Sequence, residues 1–93
     1  MFEKEIVVTH DAGLHARPAT MIVKIAMQYD SCEVYLIKDK DEANAKSIMS
    51  VLGLGISNGT KLVVRAEGAN ETEVVDRICK LIETDFDKDK NAL

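Results

Sequence analysis

Residues 13–20 read Gly-Leu-His-Ala-Arg-Pro-Ala-Thr, and this stretch predicts a turn that opens a helix. Gly13 permits a sharp backbone bend, and Pro18 suits the first turn of a helix, where backbone N–H groups have no intrahelical partner. The apolar residues that follow recur with the spacing of one buried helical face: Ala19, Ile22, Val23 and Ala26. His15 is therefore predicted at or just before the helix start, beside Arg17.

The beginning of this helix is a favourable place for a phosphate group. Free backbone N–H groups and the positive end of the helix dipole attract an anion there. The same field disfavours a protonated imidazole, so it should keep His15 neutral and nucleophilic. Arg17 adds a cation whose fork of donors suits phosphate oxygens. These features favour covalent capture of a phosphoryl group. A histidine near a helix start is more often a cap or a solvated side chain, so the residues alone leave both interpretations open.

The composition predicts one small acidic domain. The chain has 93 residues, of which 46% are apolar, and a formal net charge of −4, which disfavours general binding to nucleic acid. A single domain over residues 1–93 is expected.

No run of about 18 apolar residues is present, so no membrane insertion is expected. Residues 1–5 lack the features of a signal peptide, which predicts a cytoplasmic protein. The charged tail, residues 85–93, is expected to fray.

The cysteines and histidines do not predict a metal site. Cys32 and Cys79 lack metal-ligand spacing, and in a cytoplasmic protein both are expected to be reduced and structural. His10 is interpreted as a solvated residue at a strand end, and it makes no metal pair with His15. The sequence therefore gives no metal ligands.

Periodicity and turn signals predict the order strand, helix, strand, strand, short helix, strand, helix. The predicted elements are a strand over 2–9, a helix that runs to about 28, a strand at 34–37, a short strand at 42–45, a helix at about 48–53, a strand containing 62–64 and a helix that follows Asn70. Residues 38–41 predict a polar hairpin turn without glycine. Alternation within the strands indicates one buried sheet face, so the pattern alone predicts an α+β two-layer sandwich.

Several side chains carry more specific predictions. Ile6 and Val8 should face inward from the first strand. Met21 lies off the main buried stripe of its helix, where a methionine is usually core but here could border a partner surface. Asn70 and Glu73 have the spacing of a capping box at the start of the last helix.

Ser47 precedes the short helix and has two interpretations. Its hydroxyl could cap the helix by accepting a hydrogen bond from a backbone N–H. The same serine could be a phosphorylation site, since a phosphate is electrostatically favoured at a helix N-terminus.

Residues 13–19, Gly-Leu-His-Ala-Arg-Pro-Ala, resemble the signature of the HPr family, the histidine-containing phosphocarriers of the bacterial sugar phosphotransferase system. Residues 46–54, Lys-Ser-Ile-Met-Ser-Val-Leu-Gly-Leu, resemble the regulatory serine segment of that family, and residues 55–60 also follow its pattern. The similarity extends over nearly the whole chain. It implies an open-faced β-sandwich, in which three helices cover one side of a four-stranded antiparallel sheet in the order βαββαβα.

The resemblance also implies a function and partners. Enzyme I, charged by phosphoenolpyruvate, would phosphorylate His15 on Nδ1 with Arg17 balancing the charge, and the group would pass to the IIA domains of sugar permeases. Such a protein is a phosphocarrier and not a stand-alone enzyme, is expected to be a monomer, and needs no metal or organic cofactor. In the Gram-positive branch, an HPr kinase/phosphorylase would modify Ser47, and the modified protein would assist a catabolite control transcription factor.

The apolar residues of the short helix cannot all face inward. They indicate either a crowded core or a small apolar docking patch beside His15. The resemblance favours the patch, with Ile48, Met49 and Leu52 as docking residues and with Thr20, Lys24 and Lys46 at its rim.

Two other functions stay open. A regulatory module of the Crh type signals through the serine but lacks the active histidine, and His15 argues against it. A phosphocarrier of a nitrogen-regulatory branch would not need the segment around Ser47.

Overall fold

The computed structural model describes residues 1–9 and 16–84. Along them the elements follow in the predicted order βαββαβα, with the bounds β1 Phe2–Val7, α1 Ala16–Met27, β2 Cys32–Lys38, β3 Asp41–Asn44, α2 Ile48–Gly53, β4 Lys61–Gly68 and α3 Glu71–Glu83. The predicted fraying of residues 85–93 falls outside the described residues.

The four strands form one antiparallel sheet in the order β1-β4-β2-β3. β4 therefore lies between β1 and β2, although it is the last strand in the sequence. Its Val64 lies opposite Leu36 of β2, and both side chains are fully buried. The inward orientation predicted for Ile6 and Val8 is confirmed. The strand itself ends at Val7, but backbone hydrogen bonds with the turn before β4 continue the pairing.

The hairpin between β2 and β3 has a two-residue turn. Lys38 pairs with Asp41, which leaves Asp39 and Lys40 as the connection. The backbone of Asp39 is left-handed, with φ of 54°. Aspartate tolerates this conformation better than most residues, so the polar turn predicted from the sequence forms without glycine.

The helices cover one face of the sheet, and the core lies between the two layers. The predicted buried face of α1 is confirmed by the burial of Ala19, Ile22, Val23 and Ala26. Of the two interpretations of Met21, core and border of a partner surface, its burial supports the core, because only 5% of this residue is exposed. Because α1 packs against both α2 and α3, its buried face is wider than the stripe of apolar residues predicted from the sequence, and Met21 lies within it.

The start of α3 lacks the predicted capping box. Asn70 is the N-cap residue, but its backbone is left-handed (φ 63°, ψ 28°) and its side chain makes no capping hydrogen bond. The carboxylate of Glu73 instead accepts a hydrogen bond from the hydroxyl of Tyr29 at 2.6 Å. Arg77 donates to the same hydroxyl oxygen at 2.9 Å. The prediction is wrong because a tertiary contact competes for Glu73: the hydroxyl of a buried tyrosine requires a partner.

Glu71, at the start of α3, bonds to the N-terminal ammonium just before β1 and to the last residue of β4. Its Oε1 lies 3.1 Å from the N-terminal ammonium, and its Oε2 accepts a hydrogen bond from the N–H of Gly68 at 3.1 Å. The bond from the ammonium, and then the bond from Gly68, lower the pKa of Glu71. A carboxyl whose pKa is lowered by folding adds stability above the pKa of the unfolded chain, and this stability is lost as the pH falls through the folded pKa.

Glu71→Gln should therefore reduce the loss of stability at acidic pH. Between about pH 7 and about pH 3, we expect the free energy of unfolding to fall more in the wild type than in Glu71→Gln. Urea unfolding at both pH values measures the difference. Glu5→Gln is the matched control for removing one carboxylate, because exposed Glu5 forms no ion pair within residues 1–9 and 16–84. An identical pH dependence in Glu71→Gln and the wild type would contradict the role of Glu71.

Candidate functional site

The described part of the predicted phosphoryl site begins at Ala16, the first residue of α1 and the next residue after His15 in the chain. The predicted helix start is confirmed, while His15 and His10 themselves lie outside the described residues. In the first turn Arg17 is exposed and Pro18 is buried. The same turn carries no acidic residue, so no carboxylate there offsets the positive end of the helix dipole.

Two of the predicted rim residues lie one turn apart on α1. The hydroxyl of Thr20 donates to the carbonyl oxygen of Ala16 at 2.7 Å, so its proton is used within the helix. Lys24 is exposed in the last turn, where a cation is favoured by the negative end of the dipole. Because residues four apart share one side of a helix, both side chains lie along the same edge of α1.

Ser47 caps α2, as the sequence predicts. Its backbone is extended (φ −121°, ψ 114°), and its Oγ accepts a hydrogen bond from the backbone N–H of Ser50 at 3.3 Å. The side chain is half-buried. The preceding bend is fixed by Asn44, whose Oδ1 accepts a hydrogen bond from the N–H of Lys46 at 2.9 Å. The serine therefore lies in a defined backbone conformation at the start of a helix.

Three apolar side chains of α2 form a surface that we call the α2 patch: Ile48, Met49 and Leu52. Met49 is 76% exposed and Ile48 is 38% exposed, whereas Leu52 is half-buried against the core. Val51 and Leu54 face inward and are buried. The prediction that the apolar residues of this helix cannot all face the core is confirmed. Their role as docking residues stays a prediction.

The ammonium of Lys46, like the hydroxyl of Thr20, is bonded within the fold. Nζ donates to the carbonyl oxygen of Tyr29 at 2.8 Å and to that of Cys32 at 2.6 Å. These carbonyls flank the connection between α1 and β2, so Lys46 holds this connection against the segment that precedes α2. Carbonyl groups at the end of a helix lack intrahelical partners. This need for donors near the end of a helix is the only indication of the Lys46 contact that the sequence contains.

The described residues offer little for metal or thiol chemistry. No group of histidine, cysteine, aspartate and glutamate side chains within residues 1–9 and 16–84 is arranged to hold a metal ion. Cys32 and Cys79 are both free thiols and both buried. Burial raises the pKa of the Cys32 thiol and raises that of Cys79 to about 11. Both thiols are therefore poor nucleophiles at neutral pH.

A polar cleft of about 480 Å³ lies between the end of α1 and the start of α3. Arg77 lies over the ring of Tyr29, 5.7 Å from its centroid, and donates to Oε1 of Gln28 at 2.8 Å. Glu73 and Arg77 of α3 both hydrogen-bond to the hydroxyl of Tyr29. Side chains that line the cleft therefore link α3 to the residues at the end of α1. The sequence carries no signal for this cluster, because Gln28 and Tyr29 lie more than 40 residues from their partners Glu73 and Arg77.

None of the helices in the described ranges is long and apolar enough to span a bilayer.

The comparisons with known proteins agree with this architecture. The family described as "PTS HPr component phosphorylation site" matches residues 2–84. The phosphocarrier protein HPr of Treponema pallidum is 36% identical over 89 residues, which cover 96% of this chain and all of that protein. The crystal structure of HPr-C-His from Thermoanaerobacter tengcongensis has a TM-score of 0.83 and 40% identity, and the match covers 89% of this chain and 92% of that one.

A structure of Crh, the catabolite repression protein of Bacillus subtilis, is also similar. It has a TM-score of 0.71 and 34% identity, with 89% of this chain and 94% of that chain covered, and it is described as a dimer with a swapped domain. The family match over residues 2–84 and the open-faced sandwich fold, confirmed by the solved HPr structures, lead to one conclusion. The chain belongs to the HPr family of phosphocarrier proteins of the phosphotransferase system.

Proposed function

We propose that this protein carries a phosphoryl group on Nδ1 of His15, accepting it from phosphorylated enzyme I and donating it to the IIA domains of sugar permeases. The single observation that carries the proposal is that α1 begins at Ala16, immediately after the histidine of the family motif. In this proposal the chain is one domain and works as a cytoplasmic monomer. It needs no metal or organic cofactor and is not a stand-alone enzyme.

The chemistry follows from the field at the start of α1. A neutral imidazole attacks phosphorus, so that the bond from Nδ1 to phosphorus forms while the bond from phosphorus to enzyme I breaks. The oxygens of the phosphoryl group carry negative charge throughout the transfer. Exposed Arg17 and the N–H groups of the first turn, which have no acceptor within the helix, supply fixed positive charge, with no acidic residue of that turn to cancel it.

The proposal predicts that His15 is the only histidine phosphorylated by enzyme I. After incubation with phosphoenolpyruvate and enzyme I, the intact mass of the wild type should increase by one phosphoryl group, and acid should remove it. His10→Ala is the matched control and should gain the same mass. His15→Ala should gain none, because it lacks the nucleophile. An acid-labile gain in His15→Ala, or its loss in His10→Ala, would contradict the assignment.

The α2 patch supports a role in docking partners beside the phosphoryl site. Exposed Met49 and Ile48 provide an apolar centre, and exposed Lys24 on the contacting helix α1 provides a cation. A carrier that meets several partners requires a modest interface that forms and releases rapidly, and charge at its edge increases the rate of encounter. Thr20 and Lys46 have hydroxyl and ammonium groups already bonded within the fold, so they would act mainly through shape and through the stem of the lysine.

We also propose that Ser47 is a regulatory site, modified by an HPr kinase/phosphorylase, and that the modified protein assists a catabolite control transcription factor. The N-cap position supports this proposal, because a phosphate at the start of α2 would be favoured by the helix. The similarity to Crh, whose description refers to catabolite repression, also supports it.

The regulatory module of the Crh type remains the alternative. His15 favours the carrier function over this alternative, and the segment around Ser47 disfavours the nitrogen-regulatory branch. The mass experiment decides between carrier and regulatory module, because only a carrier takes up the phosphoryl group.

A further inference from the structure

The face of the sheet opposite the helices carries an apolar strip. At the centre of this outer face, Ile37 of β2 lies directly opposite Val63 of β4, and the next row pairs Tyr35 with Arg65. All four side chains are half-buried on a face that no helix within residues 16–84 covers. We call these four residues the outer strip. The solvent face of an antiparallel sheet normally carries polar side chains, so adjacent isoleucine and valine at its centre are unusual.

Carboxylates border the outer strip on most sides, while Lys61 and exposed Val7 lie beyond Val63 and Asn44 lies opposite Tyr35. The rim consists of Glu3, Glu5, Glu33, Glu42 and Glu67, which alternate with inward residues along the strands. With Lys61 and Arg65 as the cations, the face has five negative and two positive groups, a net charge of −3, whereas residues 1–9 and 16–84 together carry 12 negative and 10 positive side chains, a net charge of −2. Among the described residues, the excess negative charge thus lies on the side of the sheet away from α1 and α2.

Two of these five carboxylates are bonded to neighbouring side chains on the same face, and the other three are open to a partner. Arg65 lies 3.5 Å from Oε1 of Glu3, and Tyr35 donates to Oε2 of Glu33 at 3.1 Å. Glu5, Glu42 and Glu67 are exposed and form no ion pair within the described ranges.

Glu5 and Glu42 lie at opposite ends of one row. Glu5 is opposite Val63, Val63 is opposite Ile37, and Ile37 is opposite Glu42. Neighbouring strands are about 4.8 Å apart, so the two glutamates are separated by roughly 14 Å. The row therefore presents a negative charge on either side of two apolar side chains.

We propose that the outer strip and its acidic rim form a docking surface for a partner protein that presents lysine or arginine side chains on both sides of an apolar residue. The stems of such cations would lie over Ile37 and Val63 while their charged ends reach Glu5 and Glu42. A second copy of this chain fits poorly, because its acidic rim would meet the same rim. The surface lies on the opposite side of the sheet from α1 and α2, so the proposal does not depend on phosphoryl transfer.

The test is an NMR titration of the isotope-labelled full chain with a capped soluble peptide of alternating lysine and leucine. The expected amide shifts lie in β1, β2 and β4. Glu5→Lys combined with Glu42→Lys should weaken binding by at least about tenfold. Asp30→Lys combined with Glu83→Lys changes the net charge equally at exposed positions away from this face and should retain most of the affinity. Dispersed amide resonances establish that each variant is folded.

Several outcomes would overturn the proposal. Shifts confined to α1 and α2, or an equal loss of affinity in the two double variants, would leave no role for this face. Equal binding of spermidine and the peptide would mean that the apolar strip contributes nothing. Shifts on this face that grow with protein concentration in the absence of peptide would indicate a second copy of the chain as the occupant.

Discussion

Gly68→Ala should lower the free energy of unfolding by about 3 kcal/mol or more, the largest stability change that we expect from one methyl group in this protein. A Cβ at Gly68 would lie 2.3 Å from the carbonyl oxygen of Ser31 and 3.0 Å from the Cα of Cys32. Both are backbone atoms, so no side-chain rotation relieves the clash. The backbone of Gly68 also has φ of 131°, which L residues rarely adopt.

Gly53→Ala is the matched control for this prediction. Gly53 is the last residue of α2, and a Cβ there would meet no atom within 4 Å. Alanine should therefore be neutral or slightly stabilising at this position, because it reduces the freedom of the unfolded chain. Urea unfolding of the wild type and the two variants provides the measurement. Similar midpoints for Gly68→Ala and Gly53→Ala would contradict the close approach of β4 to the start of β2.

Ser47→Asp should slow phosphoryl uptake from enzyme I by about tenfold or more, while leaving the protein folded. The new carboxylate would lie at the N-cap of α2, where a negative charge is compatible with the helix. It would also lie beside Ile48 and Met49, the exposed part of the α2 patch, where docking must either desolvate or repel the charge. The effect is therefore expected at the interface with enzyme I and not on the fold.

Two further variants distinguish the effect of a negative charge beside the α2 patch from the loss of the N-cap hydrogen bond and from the effect of the same charge elsewhere on the protein. Ser47→Ala loses the hydrogen bond to Ser50 but adds no charge, so it should take up phosphoryl at nearly the wild-type rate. Thr72→Asp adds the same charge at an exposed position in the first turn of α3 and should also remain competent. Initial rates are compared after circular dichroism has established that each variant is folded. Equal rates for wild type and folded Ser47→Asp would contradict docking through the α2 patch.

Local patterns in the sequence were sufficient where neighbouring residues determine the structure. The spacing of Ala19, Ile22 and Ala26 gave the buried face of α1, because helical periodicity acts over one or two turns. The N-cap role of Ser47 also follows from a contact three residues away. The sheet architecture came from the family resemblance, since the pattern of strands alone predicted only two layers.

Contacts between distant residues account for what the sequence did not reveal. Glu73 had the correct spacing for a capping box, but Tyr29, 44 residues earlier, takes its carboxylate. Lys46 was predicted at the rim of a docking patch, yet its ammonium reaches two carbonyl oxygens that only the folded connection after α1 brings together. The periodicity of a sequence does not predict these long-range hydrogen bonds, because the partner of each side chain depends on how the helices and strands pack together.

The position of β4 in the sheet bears on how the chain folds during synthesis. β1 and β2 each pair with β4 and not with one another, so the nascent chain cannot complete the sheet until Gly68 has left the ribosome. Translation proceeds at about 5–20 residues per second, and roughly 60 residues separate the ends of β1 and β4, which leaves β1 without its partner for about 3–12 seconds. Among the strands of residues 1–9 and 16–84, only the hairpin of β2 and β3 can pair before β4 is made, and it becomes available only after Asn44 has been synthesised. Unpaired strand edges are prone to aggregation, so this is the period in which a newly made chain would benefit most from a chaperone.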